Sequence, residues 1–110
     1  MNCEIRNEGD AAVVVLSGDV DLESSPKVRT VLLDCVGKKL PVLVDMSAIA
    51  YIDSSGVASL VEAFQSARKL GTSFALVSVS EAALRVLQLA RLDKIFAIHS
   101  TLGDAFGDGT

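Results

Sequence analysis

The stretch "PVLVDM", residues 41–46, is an almost unbroken apolar, β-branched run of strand length, the pattern of a strand buried on both faces. Soon afterwards Val57, Leu60, Val61, Phe64 and Ala67 recur at helical spacing, which predicts a helix running to about Leu70 and stopping at Gly71. A doubly buried strand followed closely by an amphipathic helix is the unit of a parallel α/β sheet, because parallel neighbours need a crossover and the helix supplies it. The rest of the chain therefore has to provide further strands on either side of residues 41–46 and further helices to cover them.

It does so in alternation. "CEIRN" and "AAVVVLSG" read as two short strands joined by the turn residues Glu8, Gly9 and Asp10, an antiparallel hairpin. In "ESSPKVRTVLLDCVGKK" the period becomes helical through Val28, Val31, Leu32 and Cys35, with Ser24 or Ser25 as cap, Pro26 in the first turn and Gly37 as the stop. "SFALVSV", 73–79, predicts another strand. Ser80 and Glu81 then supply a cap and a first-turn acid for a third helix, whose inner face is Leu84, Leu87 or Val86, and the stem of Arg91. "KIFAIH" predicts a short last strand and "TLGDAF" a final helical turn or two before a glycine-rich, frayed end over 103–110. The expectation is an α/β fold, one domain over 1–110: a mixed, mostly parallel sheet of four to five strands, opened by an antiparallel hairpin and covered by about four helices. A chain of 110 residues buries about 65% of its unfolded surface, enough for one core and not two.

Composition removes several functional classes. Ten basic residues against fourteen acidic ones leave a net charge of −4, and the only adjacent basic pairs are Lys38-Lys39 and Arg68-Lys69. A nucleic-acid footprint needs clustered positive charge and exposed aromatics, so nucleic acid is not an expected partner. The longest apolar runs, such as "AAVVVL", fall far short of the roughly 20 residues that cross a bilayer, so membrane insertion is not expected. "MNCEIRNEGD" has no basic start followed by an apolar segment, and a cytoplasmic setting is the resulting expectation. Cys3 and Cys35 lie far apart without a CxxC and with His99 as the lone histidine, so they read as reduced thiols, neither a zinc site nor a disulfide. No cofactor or metal is implied.

What stands out chemically is "IDSSG", at the junction between the central strand, the short connection "SAIAY" and the start of the second helix. Sites on open α/β sheets gather where strand ends meet helix starts. The first N–H groups of a helix lack intrahelical partners, so Asp53, Ser54 or Ser55 suits the cap, and Gly56 permits a sharp turn or a close approach. Neither serine reads as a nucleophile: there is no GxSxG turn, and His99 is far downstream without a recognisable acid and oxyanion pattern. "GDVDLE", 18–23, lacks the glycine and terminal glutamate of a calcium loop. A serine at a helix start is suited instead to receive a phosphoryl group from another enzyme, because the helix dipole and free N–H groups tolerate the new charge. The expectation is a binding module and not an enzyme.

The segment "VLVDMSAIAYIDSSGVASLVEA" resembles the signature of the STAS domain family, the fold shared by bacterial anti-sigma factor antagonists and by domains of certain transporters. "LSGDVDLESS" resembles that family's glycine-acid-x-acid turn, and "GTSFALVSVSEAALRVLQLARLDKIFAI" is similar to its third helix and last strand. The resemblance runs from about Val13 to Ile98.

The resemblance implies specific roles. Ser54, the first serine of the tetrad, corresponds to the target of a partner serine kinase that is also the anti-sigma factor. Asp53 would orient the hydroxyl or the partner, Asp21 would lie on the same contact surface, Ser55 would be the structural cap and Gly56 the turn. Independently of the resemblance, Ala58 and Ser59 read as small residues toward the open side of the second helix, where they would permit close approach of a partner. On this reading the unmodified protein binds the anti-sigma kinase and frees the sigma factor, phosphorylation of Ser54 ends the contact, and a phosphatase resets it. An alternative implied by the same family is an accessory subunit of a lipid-transporting ABC system that binds the ATPase subunit.

Overall fold

A computed structural model describes residues 1–101. The chain runs β1 (Asn2–Glu8), β2 (Ala11–Val20), α1 (Ser25–Gly37), β3 (Val42–Ile52), α2 (Ser54–Leu70), β4 (Phe74–Val77), α3 (Glu81–Leu89), β5 (Ala97–His99). The strands lie in the sheet in chain order, β1 antiparallel to β2 and every later pair parallel. Each parallel step moves the same way across the sheet, so right-handed crossovers put α1, α2 and α3 on one face.

The core follows from that arrangement. Ala12, Val14 and Leu16 of β2 and Val42, Val44 and Met46 of β3 point to the helices, where they meet Val28, Leu32, Leu60, Ala63 and Leu87. The alternate residues Val13, Leu43, Ala75 and Val77 form a second apolar cluster, to which none of the helices among the described residues contributes. Two-sided burial is why "AAVVVL" and "PVLVDM" read as unbroken apolar runs. Phe64, Phe74 and Phe96 meet edge-on or tilted, with centroids 5.2–6.3 Å apart, and fasten α2 to β4 and the approach to β5.

Several boundaries differ from expectation. "SAIAY" is not a connection: β3 continues to Ile52, paired with β2 through Val20↔Ile52. Two register shifts, after Val15 and after Gly18, give β3 an extra residue each time, which breaks the alternation a strand normally shows. At the first shift the Asp45 carboxylate accepts from Ser47 N at 2.9 Å and from Ser47 Oγ at 2.7 Å. Helix α1 closes at Gly37, but the residue that turns left-handed is Lys39, φ 61°. Residues 94–96 turn back on Leu92 through the Ile95 and Phe96 N–H groups, so β5 is only Ala97–His99. The described residues hold three helices; the fourth, expected over "TLGDAF", lies outside the described residues, as does the glycine-rich end.

Candidate functional site

The extension of β3 decides where the tetrad sits. It carries the chain to the end of β2, where Asp53 N donates to Val20 O at 3.1 Å. Asp53 leaves the strand in extended conformation and caps α2. One carboxylate oxygen, Oδ1, accepts from Ser55 N (2.9 Å), Gly56 N (3.2 Å) and Ser55 Oγ (2.5 Å). The cap is therefore Asp53, and Ser55, for which the family resemblance suggested that role, is a donor to it. The Ser55 hydroxyl bond, then the N–H groups of Gly56, Ser55 and Leu22, hold the Asp53 carboxyl below the ordinary aspartate range, against partial desolvation.

Gly56 is required by closeness. A Cβ there would stand 2.7 Å from Ile52 Cγ1, 2.8 Å from Val20 Cγ1 and 3.1 Å from Val20 O. Only a residue without a side chain lets α2 start against the ends of β2 and β3. That contact fixes the neighbouring residues: Ser54, two positions earlier, is exposed, and none of the hydrogen bonds among the described residues occupies its hydroxyl.

The turn after β2 is built by the same device. Asp21 Oδ1 accepts from Glu23 N (3.2 Å), Ser24 N (3.1 Å) and Ser24 Oγ (3.1 Å), while Ser24 Oγ accepts from Asp21 N (2.9 Å). The side chain of Ser24, the N-cap of α1, is thus spent on the turn and not on the helix. Through the Asp53 N–H on Val20 O, the Ser54 turn is joined to the end of β2, the strand from which the Asp21 turn leaves.

Of the residues read from sequence, Asp21, Asp53, Ser54, Ser55, Gly56 and Ala58 come together here, with Ser54 and Ala58 exposed and Gly56 buried. Ser59 does not face the open side. It is buried, its Oγ donating to Ser25 O (3.2 Å) and Ser55 O (3.1 Å), so it ties α2 to the start of α1. Two side chains beside the site were passed over: Leu22 is 76% exposed and Tyr51 51% exposed. Their signal was an apolar residue isolated among acids in "GDVDLE" and an aromatic one directly ahead of "IDSSG". His99, by contrast, lines a cavity with Leu43 and Ala75, on the sheet face opposite α1, α2 and α3.

Comparison with known proteins gives the same surface a family. The STAS domain model matches residues 2–105. The anti-sigma-B factor antagonist of Listeria monocytogenes is 26% identical, with 98% of this chain and 96% of that protein covered. The crystal structure of an anti-sigma factor antagonist from Mycobacterium paratuberculosis superposes with a TM-score of 0.87 at 27% identity, covering 96% of this chain and 90% of that one. SpoIIAA in its unphosphorylated form shares the fold at 15% identity, TM-score 0.81, with 96% of this chain and 94% of that one covered. With a family model matched over almost the whole sequence and the expected sheet, hairpin and helix start in place, this chain belongs to the STAS domain family.

Proposed function

We propose that the protein is an anti-sigma factor antagonist whose contact with an anti-sigma serine kinase is switched by phosphorylation of Ser54. The observation that carries the reading is the exposed Ser54 side chain on a helix start immobilised by Asp53 and Gly56. A partner enzyme meets a hydroxyl held in place by the backbone without having to open the fold. The names of the similar proteins support the same assignment.

The geometry also refines how the switch acts. Asp53 already occupies the Ser55 and Gly56 N–H groups, so a phosphate on Ser54 does not sink into a vacant helix terminus. It stands in solvent, adding about −1.5 to −2 charge beside Asp53, in a chain whose β2 end and following turn carry Asp19, Asp21 and Glu23. A partner surface fitted to a neutral hydroxyl then meets repulsion, and the contact weakens by at least about 1.4 kcal/mol, a factor of ten. Leu22 and Tyr51, both exposed, supply the apolar anchors of that contact. On this reading the protein acts as a binding module in the cytoplasm, with the kinase and a phosphatase that reverses it as its partners.

The test is affinity capture with the unmodified protein, followed by phosphate transfer from the captured kinase and ATP. The expected result is recovery of a serine kinase with a histidine-kinase-like ATP site and a single phosphate mapped to Ser54. Ser54→Ala is expected to keep binding and lose phosphate transfer, and Ser54→Asp to bind at least about tenfold more weakly. Phosphate mapped to Ser55, or recovery of an ABC ATPase alone, overturns the reading, the second result in favour of a transport subunit.

A further inference from the structure

The connection from α3 to β5 carries a second surface, unlike the first in charge and placed away from it. Helix α3 begins beside the upper part of β3, where Ser80 N donates to Met46 O (3.1 Å) and Ser80 Oγ to Ile49 O (2.8 Å). From Glu81 to Leu89 the helix then carries the chain about 12 Å further on. At its far end Leu89 is 81% exposed, more than any other large apolar residue among the described ones, and Ile95 is 53% exposed. Arg91 and Lys94 lie beside them in sequence against the acid Asp93, while Arg85 is paired with Glu81 at 3.6 Å, in a chain whose net charge is −4. Gln88, Arg91, Asp93 and Lys94 line a cavity of about 340 Å³.

The backbone here is fixed. Leu92 N donates to Leu87 O (2.8 Å), Arg91 N to Gln88 O (3.0 Å) and Ile95 N to Leu92 O (3.0 Å), while Phe96 is buried in the core. Arg91 stands at φ 60°, a conformation that suits glycine and disfavours a side chain. A segment fixed by these backbone bonds that holds two apolar side chains in water beside Arg91 and Lys94 has the make-up of a docking site, with anchors and a charged rim.

We infer that residues 85–95 form a second docking surface for an acidic protein segment bearing apolar side chains, which binds while the Ser54 face is free or occupied. Charge complementarity selects an acidic occupant. Helix geometry selects a protein over a lipid surface: the apolar residues Ala83 and Leu87 of α3 are buried in the core, so no continuous apolar face is left to lie in a bilayer. The protein would then join two partners, one through each end.

The test titrates the full chain with a fluorescein-labelled synthetic peptide of glutamates with leucines at helical spacing, read by anisotropy and by amide chemical shifts. Shifts confined to residues 85–95 are expected, with Leu89→Ser and Lys94→Glu each weakening binding about tenfold and Ser54→Asp leaving it unchanged. Both substitutions are at exposed positions, and their urea midpoints verify folding. Shifts centred on the Ser54 face, equal binding of a lysine-for-glutamate peptide, or variants that bind as the parent does overturn the inference. So does sedimentation with vesicles containing about one-third phosphatidylglycerol that is lost in Lys94→Glu, which assigns the surface to lipid. Failure of these arms leaves the Ser54 switch intact, because its own test reads phosphate transfer.

Discussion

Helices α2 and α3 end in the same backbone motif and fill it differently. At the end of α2, Thr72 N donates to Ala67 O and Gly71 N to Arg68 O; at the end of α3, Leu92 N donates to Leu87 O and Arg91 N to Gln88 O. Both motifs need one left-handed residue, which is Gly71 at φ 75° in the first and Arg91 at φ 60° in the second. Along α2 each constrained position holds the residue its geometry asks for: Asp53 at the cap, Gly56 at the close approach, Gly71 at the stop. Helix α3 starts as well, with Ser80 accepting from Ala83 N at 3.2 Å, but its end carries a cation where glycine would be less strained. The difference teaches that the helix presenting Ser54 is built for rigidity, whereas the end of α3 keeps a charge at the expense of stability.

The largest effect is expected where that rigidity is most concentrated. Gly56→Ala places a methyl group 2.7–3.1 Å from Ile52, Val20 and the Val20 carbonyl. The side chains yield only by disturbing the core and the carbonyl is held in the sheet, so the variant is expected to lose about 2 kcal/mol in urea denaturation. An unchanged midpoint would show that α2 slides easily on the sheet, and the contrast with α3 would fall.

Exchanging the two helix ends sharpens the comparison directly. Gly71→Ala meets no neighbour within 4 Å, so its expected loss of about 1 kcal/mol is the left-handed conformation alone. Arg91→Gly relieves the same conformation and is expected to gain about 0.5–1 kcal/mol, the relief being partly offset by the greater freedom of glycine in the unfolded chain. Opposite signs in thermal or urea unfolding confirm that the two ends differ by residue and not by geometry. If both substitutions destabilise, the Arg91 side chain holds the α3–β5 connection by contacts of its own.

How much of this was legible in the sequence depends on whether a residue follows the period of its element. The order of strands and helices could be read because Val13, Val44 and Leu76 belong to strands buried on both faces, while Val28, Leu32, Leu60 and Ala67 repeat at helical spacing. "SAIAY" could not be read as strand, because two register shifts cancel the alternation that marks one. Ser59 looked like surface since serine usually is; its burial depends on the Ser25 carbonyl, contributed by another helix and invisible along the chain. Three adjacent residues could each have capped α2, and the choice fell to Asp53 because its Oδ1 meets three donors at once. Ser54 and Gly56 were singled out because a motif names them; the exposure of Leu22 and Tyr51 could not be read, because exposure is a property of the folded surface.

The smallest expected effect concerns the acid side of the same cap. Asp53 has a lower pKa folded than unfolded, so between the two values the unfolded chain binds the extra proton and stability rises with pH. Its contribution is complete above the ordinary aspartate value of about 3.9 and is lost as pH falls through the folded value. Asp53→Asn retains an acceptor at the cap but has no such titration, so its urea midpoint is expected to fall less steeply than the parent's between about pH 5 and pH 2. Glu62, held low by the hydrogen bond and charge of Arg29, titrates in the same direction and persists in both proteins, so it cancels in the difference. Parallel midpoint curves would mean that the Ser55, Gly56 and Leu22 donors bind the carboxyl group equally well when it is protonated. The start of α2 would then owe its order to the close packing at Gly56 and not to charge.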